Sequence, residues 1–356
     1  MPQKQLNKTF KLQGKSFSSP EELIIYSEGF LPDISSFLKD WFDKNDFVVV
    51  KTSGSTGKPK EIHLKKEQMV NSAKATGTYF NLFENTSALL CMSSEFIAGK
   101  MMIVRALVLG WNLTIVEPSS NPLNNIETTF DFCAMVPLQV QNSLNYLDKV
   151  KKLIIGGGTI SAELNHRLQD LNTECFATYG MTETITHIAV KKLNNFPSDI
   201  IRKTKQSHYF VLPNVKISQD SRNCLIITAP NVSDNDIITN DIINLKNEME
   251  FEWLGRYDNI INSGGIKLFP EQIEEKLSTV IEGRFFVYGK PDKDLGDKLV
   301  LIVEGEEDEI IIKKISKLNS LLKYEIPKEI IFINDFIETE TKKIDRNKTF
   351  LKFTAS

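Results

Sequence analysis

Cysteine, histidine and net charge are all scarce in this 356-residue chain, and each scarcity removes a class of function. Its four cysteines, Cys91, Cys133, Cys175 and Cys224, lie more than forty residues apart with no C-x-x-C, and its four histidines are also scattered. Neither a zinc site nor a disulfide scaffold follows from such spacing, and the thiols read as small core residues. With 43 basic against 46 acidic residues and a net charge of −3, there is no basic excess to neutralise a nucleic-acid backbone. No apolar run reaches the roughly 18 residues a membrane span needs, the longest candidate being broken by Lys100 and Arg105. The opening MPQKQLNKTFKL has basic residues but not the apolar stretch of a secretory signal. A soluble, cytoplasmic protein is expected, with no nucleic-acid partner and no membrane span, and a homo-oligomer is left open.

What is present is an alternation of β-rich runs and helical periods. Strands are expected near 47–51, 88–92, 113–116, 132–136, 153–155 and 175–178, each a short apolar run bounded by turn formers. Between them Met101, Val104 and Val108 recur at helical spacing, as do Leu164 and Leu168 behind a capping Ser161. Met69, Met101 and Met102 read as core. This predicts an α/β fold with layered sheets and helices on their faces. From about 205 to 254 strand-like pieces are separated by Asn, Asp and Pro without helices, which predicts a β-rich subdomain. After the turn-rich GRYDNIINSGG, a helix from Pro270, two strands, a long helix over 311–322 and EIIFI form a compact unit of about 100 residues, enough to fold alone. The expected boundaries are 1–257 for a large N-terminal lobe and 258–356 for a small α+β domain.

The sharpest motif is Thr52-Ser53-Gly54-Ser55-Thr56-Gly57-Lys58-Pro59-Lys60, directly after FVVVK. Its hydroxyls, glycines and lysines supply O–H donors, exposed N–H groups and positive charge, as a polyphosphate requires. It is not a Walker loop, because only two residues separate the glycines and Pro59 follows Lys58. Gly156-Gly157-Gly158 follows the strand LII but fails the dinucleotide fingerprint, and serves a close ligand approach or a plain tight turn. In Thr178-Tyr179-Gly180-Met181-Thr182-Glu183-Thr184 an aromatic ring, hydroxyls and a carboxylate converge after a strand end. A capped helix start would use the same residues. Glu183 has the hard oxygen chemistry that suits Mg²⁺ beside phosphate.

Together with Thr239-Asn240-Asp241, GRYDNIINSGGIKLFP and Lys343-Ile344-Asp345-Arg346, these motifs stand in an order that resembles the adenylate-forming superfamily of acyl-CoA synthetases, peptide-synthetase adenylation domains and luciferases. The resemblance spans roughly residues 45–350. It implies an enzyme that joins an acid to ATP as an acyl-adenylate, releases pyrophosphate, and then rotates a small mobile C-terminal domain so that a thiol attacks. By resemblance, Ser53 to Lys60 cover the β- and γ-phosphates, Gly156 to Gly158 flank the adenine and acid pocket, and Tyr179, with Gly180 and Met181 beside it, lies on the adenine face. Thr182 contacts the α-phosphate, Glu183 holds Mg²⁺, Asp241 takes the ribose hydroxyls with Arg256 nearby, Asp258 is the hinge, and Lys343 is the mobile adenylation lysine.

Three departures stand out. T-N-D replaces the usual T-G-D, and Lys342 replaces a glycine beside Lys343, so either lysine could serve, with the following I-D-R favouring Lys343. The residues before the phosphate loop are far fewer than the family commonly has, which predicts a shortened N-terminal lobe. Within the family, that start and the stretch FIAGKMMIVRAL resemble the o-succinylbenzoyl-CoA synthetases of menaquinone synthesis. An aromatic dicarboxylate would need a cation for its non-reacting carboxylate. Lys100, Arg105 and His187 are the candidates, although positions five apart on a helix diverge by about 140°, so only one of the first two is expected to face the pocket. A rim ion pair for Arg105 and plain packing for His187 are the alternatives. Ser263, Gly264 and Gly265 resemble the segment that approaches the CoA thiol, and Lys267 could touch a CoA phosphate or be an ordinary exposed turn lysine. The implied ligands are ATP, Mg²⁺, CoA and a carboxylic acid.

Overall fold

The computed structural model describes residues 6–29, 32–52, 60–196, 208–339 and 344–355. Its strands begin with β1 (Lys11–Leu12), β2 (Phe47–Thr52), β3 (Lys60–Lys65), β4 (Ser87–Leu90), β5 (Asn112–Ile115), β6 (Phe130–Met135), β7 (Val150–Ile155), β8 (Glu174–Gly180) and β9 (His187–Lys192). They continue with β10 (Tyr209–Val211), β11 (Lys216–Gln219), β12 (Cys224–Thr228), β13 (Ile237–Asn247) and β14 (Glu250–Arg256). The helices among them are α1 (Pro20–Glu28), α2 (Pro32–Phe42), α3 (Lys66–Phe80), α4 (Ile97–Leu109), α5 (Pro137–Asn142) and α6 (Ala162–Leu168). Ser161 caps α6 as its hydroxyl accepts from Leu164 N at 3.1 Å.

Twelve strands hydrogen-bond in the order β1-β5-β4-β6-β7-β8-β9-β10-β14-β13-β12-β11. The pairs from β1 to β8 are parallel, and every pair from β8 to β11 is antiparallel. The β-rich stretch expected at 205–254 is therefore joined to the parallel half through β9 and β10 as one continuous hydrogen-bonded path. Chain order reverses at β4, which has β5 on one side and β6 on the other. Right-handed crossovers in opposite directions place helices on opposite faces, and accordingly α3 and α4 bury Met69, Met101 and Met102 in one core while α5 and α6 enclose Cys91, Cys133 and Cys175 in the other. All four cysteines are buried and free. A crevice at the carboxyl ends of strands around such a reversal is where open α/β sheets take ligands.

The remaining elements are β15 (Ile261–Ser263), β16 (Ile266–Leu268), α7 (Pro270–Leu277), β17 (Phe285–Asp292), β18 (Gly296–Glu304), α8 (Glu309–Ser316), β19 (Glu329–Ile333) and α9 (Arg346–Ala355). The five strands form their own sheet, and its cores draw only on residues between Ile261 and Phe350. The helix expected over 311–322 ends at Ser316 instead, because Lys317, Asn319 and Ser320 interrupt the apolar period, and Leu321 reaches the core from the following turn. Asp308 in the acidic run caps α8 by accepting from Ile310 N at 2.7 Å.

Candidate functional site

The parallel strands β6, β7 and β8 deliver Val136, Gly156 and Gly180 to the carboxyl ends of the strands, on one side of the sheet. Gly156 donates to Met135 O at 3.1 Å, and a Cβ on it would come within 2.5 Å of Thr178 Oγ1. Gly157 has φ 78°, a left-handed turn that glycine adopts without steric cost. Gly158 is exposed next to it, so the three glycines form an open backbone rim.

Tyr179 sits at the end of β8, edge-on to Phe251 with ring centroids 5.2 Å apart, and its phenol donates to Asp241 Oδ2 at 2.6 Å. Burial first, and then the Asp241 carboxylate, push the phenol's pKa well up, so Tyr179 remains a neutral donor. Asp241 faces Arg256 across β13 and β14, with Arg256 Nε 3.7 Å from Asp241 Oδ1 and Nη2 4.0 Å from Asp258 Oδ2. Aromatic face, acceptor and cation thus converge from β8, β13 and β14.

After Gly180 the chain makes a 3₁₀ turn over Thr182–Thr184. Thr184 Oγ1 donates to Met181 O at 2.9 Å or Thr186 O at 2.7 Å and accepts from Met181 N at 3.0 Å. Ile185, fully buried, takes φ 65° and ψ −59°, a conformation a β-branched residue adopts only under constraint. Gly180 is required opposite it, since a Cβ there would stand 2.2 Å from Thr186 O. The turn leaves Glu183 exposed, with no ion pair among the described residues, and sets it against β3, which leads back from the phosphate motif. Residues 53–59 of that motif, and Lys342 and Lys343, lie outside the described residues. Thr52 and Lys60 are register partners at the end of the β2–β3 hairpin that frames it.

The acid-pocket candidates are placed differently from one another. Lys100 donates to Ser94 O at 2.6 Å and lies 5.3 Å from the Phe37 ring, and burial lowers its pKa. Arg105 is 1% exposed and donates to Thr76 Oγ1 and Thr186 Oγ1, both at 3.3 Å, and to Met102 Sδ at 3.7 Å. None of these is a carboxylate, so the rim ion pair is not what the structure contains, and burial pulls the guanidinium down to about 10. His187 meets Thr186 Oγ1 through Nδ1 at 3.2 Å, while its buried Nε2 has no partner among the described residues. Burial, with the Arg105 charge second, holds His187 well below the usual imidazole range, so it is neutral. The ring lines a cleft of about 270 Å³ between α3 and the segments 212–215 and 229–232. A second cleft of about 340 Å³, lined by 81–86, Asp131, Lys151 and Lys152, is at the opposite, amino ends of the strands.

Ser263, Gly264, Gly265 and Lys267 form the tip of the β15–β16 hairpin. Gly264 and Gly265 have φ 57° and 81°, the pair of positive values that a two-residue hairpin turn needs. Gly264 N donates to Leu295 O at 2.8 Å, within the smaller sheet, and Lys267 is exposed. Sequence reasoning missed the partners of Asn240: its Nδ2 donates to Asp258 Oδ2 at 3.1 Å and its Oδ1 accepts from Arg222 Nη1 at 3.0 Å. The departure from T-G-D was the available signal.

The fold is that of an α/β enzyme, and the chain belongs to the AMP-binding enzyme family, whose sequence pattern it matches over residues 5–221. Among curated relatives, 2-succinylbenzoate–CoA ligase of Listeria monocytogenes serotype 4b is 27% identical over 341 residues, covering 88% of this chain and 71% of that protein. The Lactococcus lactis protein of that name is 23% identical and covers 88% and 72%. A solved acyl-CoA synthetase (AMP-forming)/AMP-acid ligase II-like protein from Dyadobacter fermentans is 36% identical with TM-score 0.59, covering 90% of this chain and 93% of that one. The Bacillus subtilis o-succinylbenzoate coenzyme A synthetase, solved with ATP and magnesium, has TM-score 0.71 at 18% identity over 93% of this chain and 82% of that one, a likeness of fold. No helix among the described residues is long and apolar enough to cross a membrane.

Proposed function

We propose that this chain is a cytoplasmic ATP-dependent acid–CoA ligase that activates 2-succinylbenzoate as its acyl-adenylate, releases pyrophosphate, and transfers the acyl group to CoA. The observation that carries the reading is the meeting of Tyr179, Asp241 and Arg256, with the glycine turn 156–158 at the end of the neighbouring strand β7, in a chain that aligns over 88% of its length with a ligase of that name. Tyr179 offers its ring to adenine and Asp241 its carboxylate to the ribose hydroxyls. The 156–158 backbone lies close because no side chain intervenes, and the 52–60 motif and Thr182 bind the phosphates.

Glu183 suits Mg²⁺, since this ion is usually held by one or two carboxylates plus substrate phosphates and needs no larger protein cage. Bound there, Mg²⁺ supplies charge neutralisation at phosphate oxygens. Lys343 adds a cation at the α-phosphate during the first half-reaction. Asp258 is the hinge about which residues 258–356 turn as a mobile domain, and the 263–265 tip with Lys267 then approaches CoA. On the acid side, Arg105 is a buried cation with no anionic partner among the described residues, and buried charges are ordinarily paired. The non-reacting carboxylate of a dicarboxylate supplies that partner, with His187 lining the cleft and Arg105 one hydroxyl behind it.

A panel of carboxylic acids in a pyrophosphate-release assay, with and without CoA, tests this. Release with 2-succinylbenzoate and multiple turnovers only with CoA are expected. Release confined to a different acid would instead favour a second reading, another acyl-CoA ligase, the broader class to which the 36% identical Dyadobacter protein is assigned. Release unaffected by CoA would point to a carrier-protein thiol.

A further inference from the structure

Asn240 stands between the Asp241 carboxylate and the segment at which the chain enters its smaller sheet. Its Nδ2 donates to Asp258 Oδ2 at 3.1 Å, and its Oδ1 is held by Arg222 Nη1 at 3.0 Å. Arg222 is fixed in turn by an ion pair to Asp220 at 2.7 Å and by donation to Thr239 O at 3.2 Å, and its guanidinium lies 5.1 Å from the Tyr257 ring centroid. Tyr257, Asp258 and Asn259 form one 3₁₀ turn, so Arg222 and Asn240 grip consecutive residues of it. From the other side Asn259 Nδ2 donates to Glu271 Oε1 at 2.6 Å. Arg256 lies between the two carboxylates, 3.7 Å from Asp241 and 4.0 Å from Asp258, close enough to favour either as their other partners change.

We propose that Asn240 is a positioning residue that, through Asp258, holds the 257–259 turn in place and so governs passage between the two half-reactions, an inference that rests on the acid–CoA ligase reading. A glycine at 240, as in T-G-D, has no side chain with which to make either bond. With Asn240, the turn keeps one partner on β13 while Arg256 is free to follow Asp241 as ribose hydroxyls arrive. The nucleotide carboxylate and the hinge are then joined by adjacent residues of one strand, without a longer relay.

The test uses the full-length chain with Asn240→Gly, which removes both bonds, and Asn240→Asp, which keeps the acceptor for Arg222 but places a carboxylate where Asp258 was given a donor. Amide hydrogen exchange of Tyr257–Asn259, AMP affinity by calorimetry, and single-turnover rates of adenylate formation and of CoA attack are measured for each. Both variants should speed exchange at the turn by about 2- to 10-fold, the range of one modest hydrogen bond. The ratio of the two half-reaction rates should change by at least about threefold, with AMP affinity within about twofold of wild type. Unchanged exchange with a constant ratio would overturn the proposal. A matching fall in AMP affinity and both half-reactions would overturn it too, assigning Asn240 to support of Asp241. If wild-type protein activates no acid, the function proposed above fails, while the exchange arm still reports on Asn240.

Discussion

Tyr179 and Asp241, 62 positions apart in sequence, share a 2.6 Å hydrogen bond that joins the last parallel strand to the antiparallel half of the same sheet. The contact makes the phenol an internal crosslink and leaves Asp241 Oδ1 facing Arg256. The nucleotide binding proposed at these residues would work around a carboxylate that already has one neutral donor.

Replacing Tyr179 with Phe keeps the ring and removes this bond, so AMP affinity should fall less than about fivefold. Tyr179→Ala also removes the stacking face, worth about 1–3 kcal/mol per base, and should weaken AMP by about 10-fold or more. Asp241→Ala should cost roughly 10- to 100-fold, as hydrogen bonds to a charged acceptor are lost. Titration calorimetry with AMP separates the three, and a Phe variant as weak as the Ala variant would remove the ring from the adenine site.

At the acid end, Arg105→Leu should raise KM for 2-succinylbenzoate by an amount corresponding to about 2–5 kcal/mol while leaving benzoate-like monocarboxylates nearly unaffected. Thermal stability should hold or rise, because a buried cation without an anion is replaced by an apolar side chain. Lys100→Met, whose ammonium is engaged by Ser94 O, should be the milder change. Equal effects of Arg105→Leu on both acid classes would take the guanidinium out of substrate recognition.

Lys343→Ala should abolish acyl-adenylate formation yet spare CoA attack on supplied acyl-adenylate, because the proposed role of the lysine is confined to the first half-reaction. Lys342→Ala should be milder. Single-turnover assays of the separate steps decide, and equal loss of both steps would assign Lys343 a structural part.

A pH dependence follows from Glu274, which is partly buried in the smaller unit, pairs with Arg346 Nη2 at 2.8 Å and accepts from Val287 N at 2.9 Å. Burial outweighs Arg346 and raises its carboxyl to about 7 from 4.5. The folded state then binds more protons than the unfolded state between those values, so this group's stabilisation is complete below pH about 4.5 and is lost as pH rises through about 7, on the order of 3 kcal/mol in all. Glu274→Gln should flatten that part of the stability–pH curve, as read by denaturant melts from pH 5 to pH 8.

The order of strands and glycine turns was legible because each is a local event: LIIGGG is a buried strand that meets residues free to turn, and Pro270 starts a helix wherever its neighbours permit. Arg105 shows what was not. Periodicity placed it on a helix but could not tell that its donors meet Thr76 and Thr186, 29 and 81 positions away. Asn240 was visible as an odd residue in a motif, whereas its partners Arg222 and Asp258 belong to different segments. The extent of the sheet was hidden for a similar reason, since Phe210 pairs with Val190 and Val211 with Ala189, about 20 positions apart, and no local pattern specifies which strands become neighbours.

Ile185 gives the chain an unusual pattern of tolerance. Its strained backbone, of the kind that costs about 1–3 kcal/mol, is held by close packing on every side. The shape of the exposed turn bearing Thr182 and Glu183 is thus set by interior neighbours, and substitutions that loosen the apolar layer under α3 and α4 should let the turn relax before the protein unfolds. Partial losses of catalysis would then accumulate from changes far from any ligand, and a glycine at 185 would restore backbone comfort without restoring the grip.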